Sequence, residues 1–407
     1  MKKNMQRVPP LRFSEFDGEW SHHRTKELFD RVADGVDVED GRFYQEIGIR
    51  SHGKGLFHKT PVLGETLGDK RVFWVKNNAL ILNIVFAWEQ AVAKTSNAEI
   101  GMIASHRFPM FKAKINLADP SYFLSFFLTR KGKNLLELAS PGGAGRNKTL
   151  GQKTFDELKV FHPSLPEQQK IASFLSAVNK KIQQLSRKKE LLEQYKKGVM
   201  QKIFSQQIRF KDEKGQEYPA WQEKRLGTLA TKITTKNQKS VFTFVLTNSA
   251  TKGIISQQDY FNKDIANQNN LEGYYVVAKD DFVYNPRISS SAPVGPIKRN
   301  KLGKGVMSPL YSIFRFGIED ADYFEYFFET RGWHKYMHSI ANFGARHDRM
   351  NITNADFYKM PVPYPCREEK DKICRFLETL TKKIESAKAQ LIQNQAFKKG
   401  LLHQMFA

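Results

Sequence analysis

Apolar residues recur every seven positions in two stretches of the chain. Between Pro163 and Phe204 the first row is Ile171, Val178, Leu185, Leu192 and Val199, with Leu175, Ile182 and Ile203 on the companion position and Lys189 and Lys196 between them. Between Pro365 and Phe406 the rows are Ile373, Leu380, Ala387, Asn394, Leu401 and Leu377, Ile384, Leu391, Lys398, Met405. This is the a/d seam of a coiled coil. Pro166 and Pro365 end the preceding loops. Each stretch predicts a helix of about 38 residues, roughly 57 Å long at 1.5 Å per residue. An amphipathic helix must bury its stripe, and the matching partner is the other copy. An intramolecular antiparallel pair is expected, with Ile171, Leu175, Val178, Ile182 and Leu185 of one helix and Ile373, Leu377, Leu380, Ile384 and Leu391 of the other as pairing residues.

The two stretches align without a gap at a shift of 202, which pairs Glu167 with Glu369, Phe174-Leu175 with Phe376-Leu377, Lys196-Lys197-Gly198 with Lys398-Lys399-Gly400 and Phe204 with Phe406. A repeat of this period governs the whole architecture. Outside the helices it is looser. Arg12-Phe13 and Trp20 return as Arg209-Phe210 and Trp221, Asn78 to Asn83 returns as Asp280 to Asn285, and DPSYFLSFFLTR from Asp119 returns as DADYFEYFFETR from Asp320. The order is globular part, helix, globular part, helix. Short runs such as Tyr274 to Val277 and Phe282 to Tyr284 predict strands, and Tyr122 to Thr129 and Leu135 to Leu138 predict helices. The fold class is therefore α+β with an internal pseudo-two-fold repeat.

Charge sharpens the picture. The 407 residues carry a formal net charge of +23, at a pI near 9.7, with 40% hydrophobic and 12% aromatic residues. Such a field favours polyanions, nucleic acid first, while the aromatics and the apolar content argue for folded domains rather than a basic tail. The two cysteines, Cys366 and Cys374, exclude a secreted disulfide framework. The start of the chain lacks a signal-peptide pattern, and the apolar run from Ala79 to Trp88 is too short to span a bilayer, which together predict a cytoplasmic protein.

Several near-motifs fall short of catalysis. Gly48 to Gly55 resembles a P-loop, but Gly55 stands where a magnesium-holding Ser or Thr belongs. The other copy, Asn248 to Gly253, keeps only Lys-Gly, so the common element is a Lys-Gly turn between strands. Asp119-Pro120-Ser121-Tyr122 resembles the Asp-Pro-Pro-Tyr loop of amino-methyltransferases, but its copy Asp320-Ala321-Asp322-Tyr323 retains what suits a helix start, an N-cap aspartate followed by core aromatics. His334 and His338 lack the adjacent glutamate of a zinc protease, and no Cys/His cluster has zinc spacing. No catalytic and no metal-binding residues are expected.

The motif Pro163-Ser164-Leu165-Pro166-Glu167-Gln168-Gln169-Lys170-Ile171-Ala172-Ser173-Phe174-Leu175, opening a Lys-rich coiled-coil helix after a globular region, followed by the whole unit again, resembles the specificity subunits of Type I restriction–modification systems. The second copy departs from it, with Glu368-Glu369-Lys370 at the corresponding place. The resemblance implies two target-recognition domains, 1–165 and 206–364, separated by helices at 166–205 and 365–407. Each domain reads half of a bipartite double-stranded DNA site. The helices set the spacing and dock two methyltransferase subunits, through which restriction/translocase subunits join. S-adenosylmethionine, ATP and Mg belong to those partners, and the chain itself is non-catalytic. The rival readings are a self-sufficient DNA methyltransferase or nuclease, which needs motifs that are degraded here, and a basic coiled-coil scaffold for acidic proteins.

Comparison of the two halves nominates DNA-binding residues. Features kept in both serve the scaffold or the invariant backbone, and features that differ within matching loops are candidates for base reading. Arg146 and Arg346 follow glycine-containing loops, and their neighbours differ, Asn147 and Lys148 against His347 and Arg349. A second loop follows Asn83 and Asn285, with Trp88, Gln90 and Lys94 in one copy and Arg287, Ser289, Ser290, Lys298 and Arg299 in the other. These side-chain types pair with base edges or phosphates. The helix lysines Lys188-Lys189 and Lys196-Lys197 are candidate partner or phosphate contacts.

Overall fold

The structure, a computed structural model, describes residues 8–143, 148–261, 271–342 and 348–406. The chain divides into two units. One runs up to Ser186 and is joined by the stretch from Ala389, and the other is Arg187–Lys388.

In the first unit an antiparallel four-stranded sheet is built from β1 (Phe29–Val32), β2 (Ala79–Leu82), β3 (Val92–Lys94) and β4 (Met110–Ala113), in the order β1-β4-β2-β3. Met110 lies opposite both Val32 and Ile81 in this register. All four β2 residues are buried, so the sheet is covered on both faces. One face carries a small cluster with Ile47, Ile81 and Met110. The other carries the main core, into which α1 (Pro120–Phe127) sends Tyr122, Phe123, Phe126 and Phe127. Asp119 caps α1, its Oδ1 accepting from the amides of Ser121 (2.8 Å) and Tyr122 (2.9 Å). Helix α2 (Arg130–Leu138) follows, N-capped by Thr129. The long helix α3 (Leu165–Phe204) opens in this unit.

The second unit repeats the plan. Strands β5 (Ala230–Ile233), β6 (Phe282–Tyr284), β7 (Ile297–Arg299) and β8 (Ser312–Phe316) pair in the matching order β5-β8-β6-β7. Helix α4 (Ile318–Glu329) buries Tyr323, Phe324, Phe327 and Phe328, and the second long helix is α5 (Arg367–Gln404). The expected N-cap role of Asp320 is not what forms. Helix α4 starts earlier, with Gly317 as its cap, and Asp320 sits in the first turn, paired with Lys370 and accepting from the Tyr364 hydroxyl at 3.2 Å. The cause lies in the second helix motif, where Lys370 stands opposite Gln168 and brings a charge that needs a buried carboxylate. The Lys-Gly turns do join strands in both copies, between Ile47–Ile49 and Leu56–His58 and between Leu246–Ser249 and Gly253–Ser256.

The helix seams are sunk into the domain cores at their ends. In the first unit Ile171, Leu175 and Val178 from the start of α3 cluster with Leu401, Met405 and Phe406 from the end of α5. In the second, Ile373, Leu377 and Leu380 from the start of α5 cluster with Met200 and Ile203 from the end of α3. Start against end, twice, makes the pairing antiparallel. Ile182 packs partly buried on the first core. Leu185 is buried, while Ile384 and Leu391 are half-buried. Ala172 and Phe174, off the heptad rows, also pack on the first core, which is why the apolar stripe is widest at the helix start.

Each helix start is pinned by an ion pair. Arg12 donates twice to Glu167, both at 2.7 Å. Arg209 reaches Glu369 at 3.2 and 2.6 Å, and Trp221 Nε1 donates to the same carboxylate at 2.8 Å. Both carboxylates are buried, 1% and 0% exposed, and the forked geometry is what makes a buried carboxylate tolerable. No helix among the described residues is long and apolar enough to cross a membrane.

Candidate nucleic-acid interface

Two loops that are far apart in sequence meet in each unit. In the first, the Leu150 amide donates to the Ile84 carbonyl at 2.7 Å, and Lys148 Nζ stands 5.2 Å over the Trp88 ring. In the second, the Met350 amide donates to the Pro286 carbonyl at 2.9 Å, the Ile288 amide to the Asp348 carbonyl at 3.0 Å, and the backbones of Arg287 and Arg349 form an isolated antiparallel β-bridge. The start of each loop is set by an asparagine turn, Asn83 Oδ1 accepting from the Val85 amide and Asn285 Oδ1 from the Arg287 amide, both at 3.0 Å. Two candidate segments thus form one surface in each half, with equivalent backbone bonds and different side chains: Trp88 and Lys148 against Arg287 and Arg349. Arg146, Asn147, Arg346 and His347 lie outside the described residues.

Other candidates have their polar groups engaged inside the domain. Gln90, in a left-handed conformation, donates to the carbonyls of Phe127 (3.0 Å) and Thr129 (3.3 Å). Lys94 donates to Ser121 Oγ at 2.8 Å, tying β3 to α1. Arg299, at the same sheet position of the other copy, ties β7 to α4 through Asp322 and Glu325, and also holds Asp280. The acidic ring raises the Arg299 pKa against the opposing effect of burial. Ser289 Oγ caps a tight turn to Ala292 and meets Ser291 Oγ at 3.1 Å, and Ser290 is exposed beside it. Lys298 lies along two adjoining grooves, one with Thr251 and Lys252 and one with Ser291, Arg331 and His334. His334 is held below the usual histidine range by burial, and further by Arg331 and His338. Arg130 and Arg331 stand in the Thr-Arg pair that follows each aromatic helix, a repeated signal in the sequence.

Among the described residues no group of three or more His, Cys, Asp or Glu is placed to hold a metal ion. The near-motif at Asp119 is occupied by helix capping.

A family model described as "Type I restriction modification DNA specificity domain" matches residues 63–194. The fold is shared along nearly the whole chain with solved structures. The HsdS subunit from Thermoanaerobacter tengcongensis aligns over 100% of this chain and 99% of its own at 16% identity and a TM-score of 0.53. The Type-I restriction-modification system S subunit from M. genitalium aligns over 98% and 99% at 14% identity and 0.55. A chain from a study of complex assembly and conformational transition of the type I R-M system aligns over 96% and 98% at 15% identity and 0.56. The matched residues take in β2, β3 and β4 of the first sheet, the loop after Asn83 and the opening of α3, and the same architecture returns in the second half. Residues 63–194 are thus similar to the DNA specificity domain of Type I restriction modification systems, and the fold of the whole chain is similar to that of solved S subunits of such systems.

Proposed function

We propose that this chain reads a two-part DNA sequence with a spacer of constant length and holds two methyltransferase subunits, through which restriction/translocase subunits join. The observation that carries the reading is the paired loops. Each unit brings the segment after Asn83 or Asn285 against the segment around Lys148 or Arg349, on equivalent backbone bonds with divergent side chains. A repeated scaffold with differing tips is what two different half-sites require. Arginine and lysine at those tips have the donors for base edges. The chain works as a cytoplasmic, non-catalytic subunit, and S-adenosylmethionine, ATP and Mg act in the partners.

Two features support docking on the helices. Tyr195 and Phe397 occupy equivalent positions on α3 and α5 and are 55% and 52% exposed. Gly198 and Gly400 follow them, and an added Cβ at either would meet nothing within 4 Å. Glycine inside a helix costs roughly 0.5–1 kcal/mol relative to alanine, so retention at both places suits a partner that approaches the helix backbone closely. Mapping methylated adenines genome-wide in a host given this chain with its partners tests the reading. A single bipartite motif with a constant spacer is expected, and a contiguous motif or unchanged methylation would sink it. Labelled methyl transfer by the purified chain alone would count for the self-sufficient enzyme.

A further inference from the structure

In the first unit a groove of about 840 Å³ is lined by Arg130 and Lys131 at the start of α2 and by Lys399 and His403 at the end of α5, with Leu128, Leu402 and Phe406 below them. Among the described residues that line it none is acidic. In the second unit Arg331 and Lys197 hold the equivalent positions. They share a groove with Lys196, Lys388, Glu193, Glu329 and Glu385, in which Lys196 takes up Glu329 at 3.4 Å. Among the described residues none of Arg130, Lys399, Arg331 and Lys197 has a carboxylate partner. Each pair joins one residue of a globular domain to one residue of the helix that begins in the other copy.

These pairs adjoin the candidate reading loops. Arg331 and Lys197 line a second groove with Ser291, Ala292 and Lys298. In the first unit Gln90, from the loop that carries Trp88, is bonded to the carbonyl of Thr129, the neighbour of Arg130. The loops differ between the halves while the cation pairs do not. A contact that is retained beside divergent readers suits the part of the ligand that two different half-sites have in common.

We propose that Arg130 with Lys399, and Arg331 with Lys197, are matched contacts to the DNA sugar–phosphate backbone, one pair at each half-site. The proposal rests on the chain being a DNA reader. Phosphate contacts position a protein without carrying sequence. Each one adds about 0.9 to the log–log slope of affinity against salt.

The test uses the full chain with two probes, a random-sequence duplex and duplexes that the unaltered chain enriches from that pool. Arg130→Gln/Lys399→Gln and Arg331→Gln/Lys197→Gln should each lower the salt slope by about two. Affinity should fall by the same factor on both probes, and the enriched sequence should stay unchanged. Arg331→Lys keeps the charge and should keep the slope, which separates charge from folding. An unchanged slope, or a loss confined to enriched sequences, would overturn the proposal. So would unaltered DNA binding combined with loss of a co-purifying partner subunit, since the pairs would then serve an acidic protein. If the unaltered chain binds random duplex yet enriches no sequence, the specificity reading fails, and the slope comparison still decides the phosphate contacts.

Discussion

The ring of Phe406 lies 5.3 Å from that of Tyr122. Phe204, the equivalent residue of the first helix, lies 5.3 Å from Tyr323. Each aromatic helix is therefore covered by the end of the long helix that starts in the other half of the sequence. Phe406→Ala should destabilise by about 3–5 kcal/mol, the usual cost of truncating a core phenylalanine. Hydrogen exchange should place the loss among residues 8–186, and for Phe204→Ala among residues 210–388. Loss in the opposite unit would refute the crossed packing.

Arg12→Ala should cost about 3–5 kcal/mol because it leaves the buried Glu167 carboxylate unpaired. The double variant Arg12→Ala/Glu167→Gln should recover part of that loss. Denaturant unfolding of the two variants decides it, and equal stability would mean that the pair contributes nothing to the helix anchor.

His162 supports an acid-side loss of stability. Its Nδ1 donates to the Pro163 carbonyl at 2.9 Å, and its Nε2 meets His23 Nδ1 at 2.8 Å. Burial lowers its pKa, and nearby His23 adds to this against the opposing Pro163 bond. A histidine depressed in the folded state binds its proton more readily when unfolded. Its contribution is thus full above the unfolded value near 6.5 and declines as pH falls below it. His334 is shifted the same way. The melting temperature should drop between pH 7.5 and 5.5, and His162→Gln/His334→Gln should shrink that drop.

Replacing residues 206–364 with the matching region of a relative should change one half of the methylated motif and leave the other intact. Within that region, Arg349→Ala should weaken binding by about 1–3 kcal/mol if its guanidinium reads a guanine. A loss that is equal on all sequences would assign Arg349 to phosphate instead. Methylome mapping and competition binding measure the two.

Gly198→Ala and Gly400→Ala should each stabilise the chain by about 0.5–1 kcal/mol, since the new methyl groups meet no neighbour. The same variants should capture less methyltransferase subunit in co-purification. Stabilisation without any loss of capture would remove these glycines from the docking face.

The repeat, the helix seams and the aromatic helices were legible because each depends on local periodicity or on self-comparison. The two-loop surface was half legible. The sequence nominated both loops, but their meeting rests on backbone bonds such as Leu150 to Ile84 that leave no side-chain signature. Lys94, Gln90 and Arg299 read as free donors because their partners, Ser121, the Phe127 and Thr129 carbonyls, and Asp322, lie 23 to 39 residues away or on another element. Asp119 and Asp320 look equivalent in sequence, and only the buried charge of Lys370 separates a cap from an ion-pair partner.

The crossed helices also set an order of completion during synthesis. Everything the second unit needs, from Arg187 to Lys388, is contiguous and emerges in one piece. The first unit has its sheet, its aromatic helix and the start of α3 early, yet lacks Leu401, Met405 and Phe406 until the ribosome has made almost the last turn of α5. The half translated first is finished last. Its core stays open while more than half of the chain is still being made, and a chain cut short between Lys388 and Leu401 leaves a complete second unit attached to an uncovered first one.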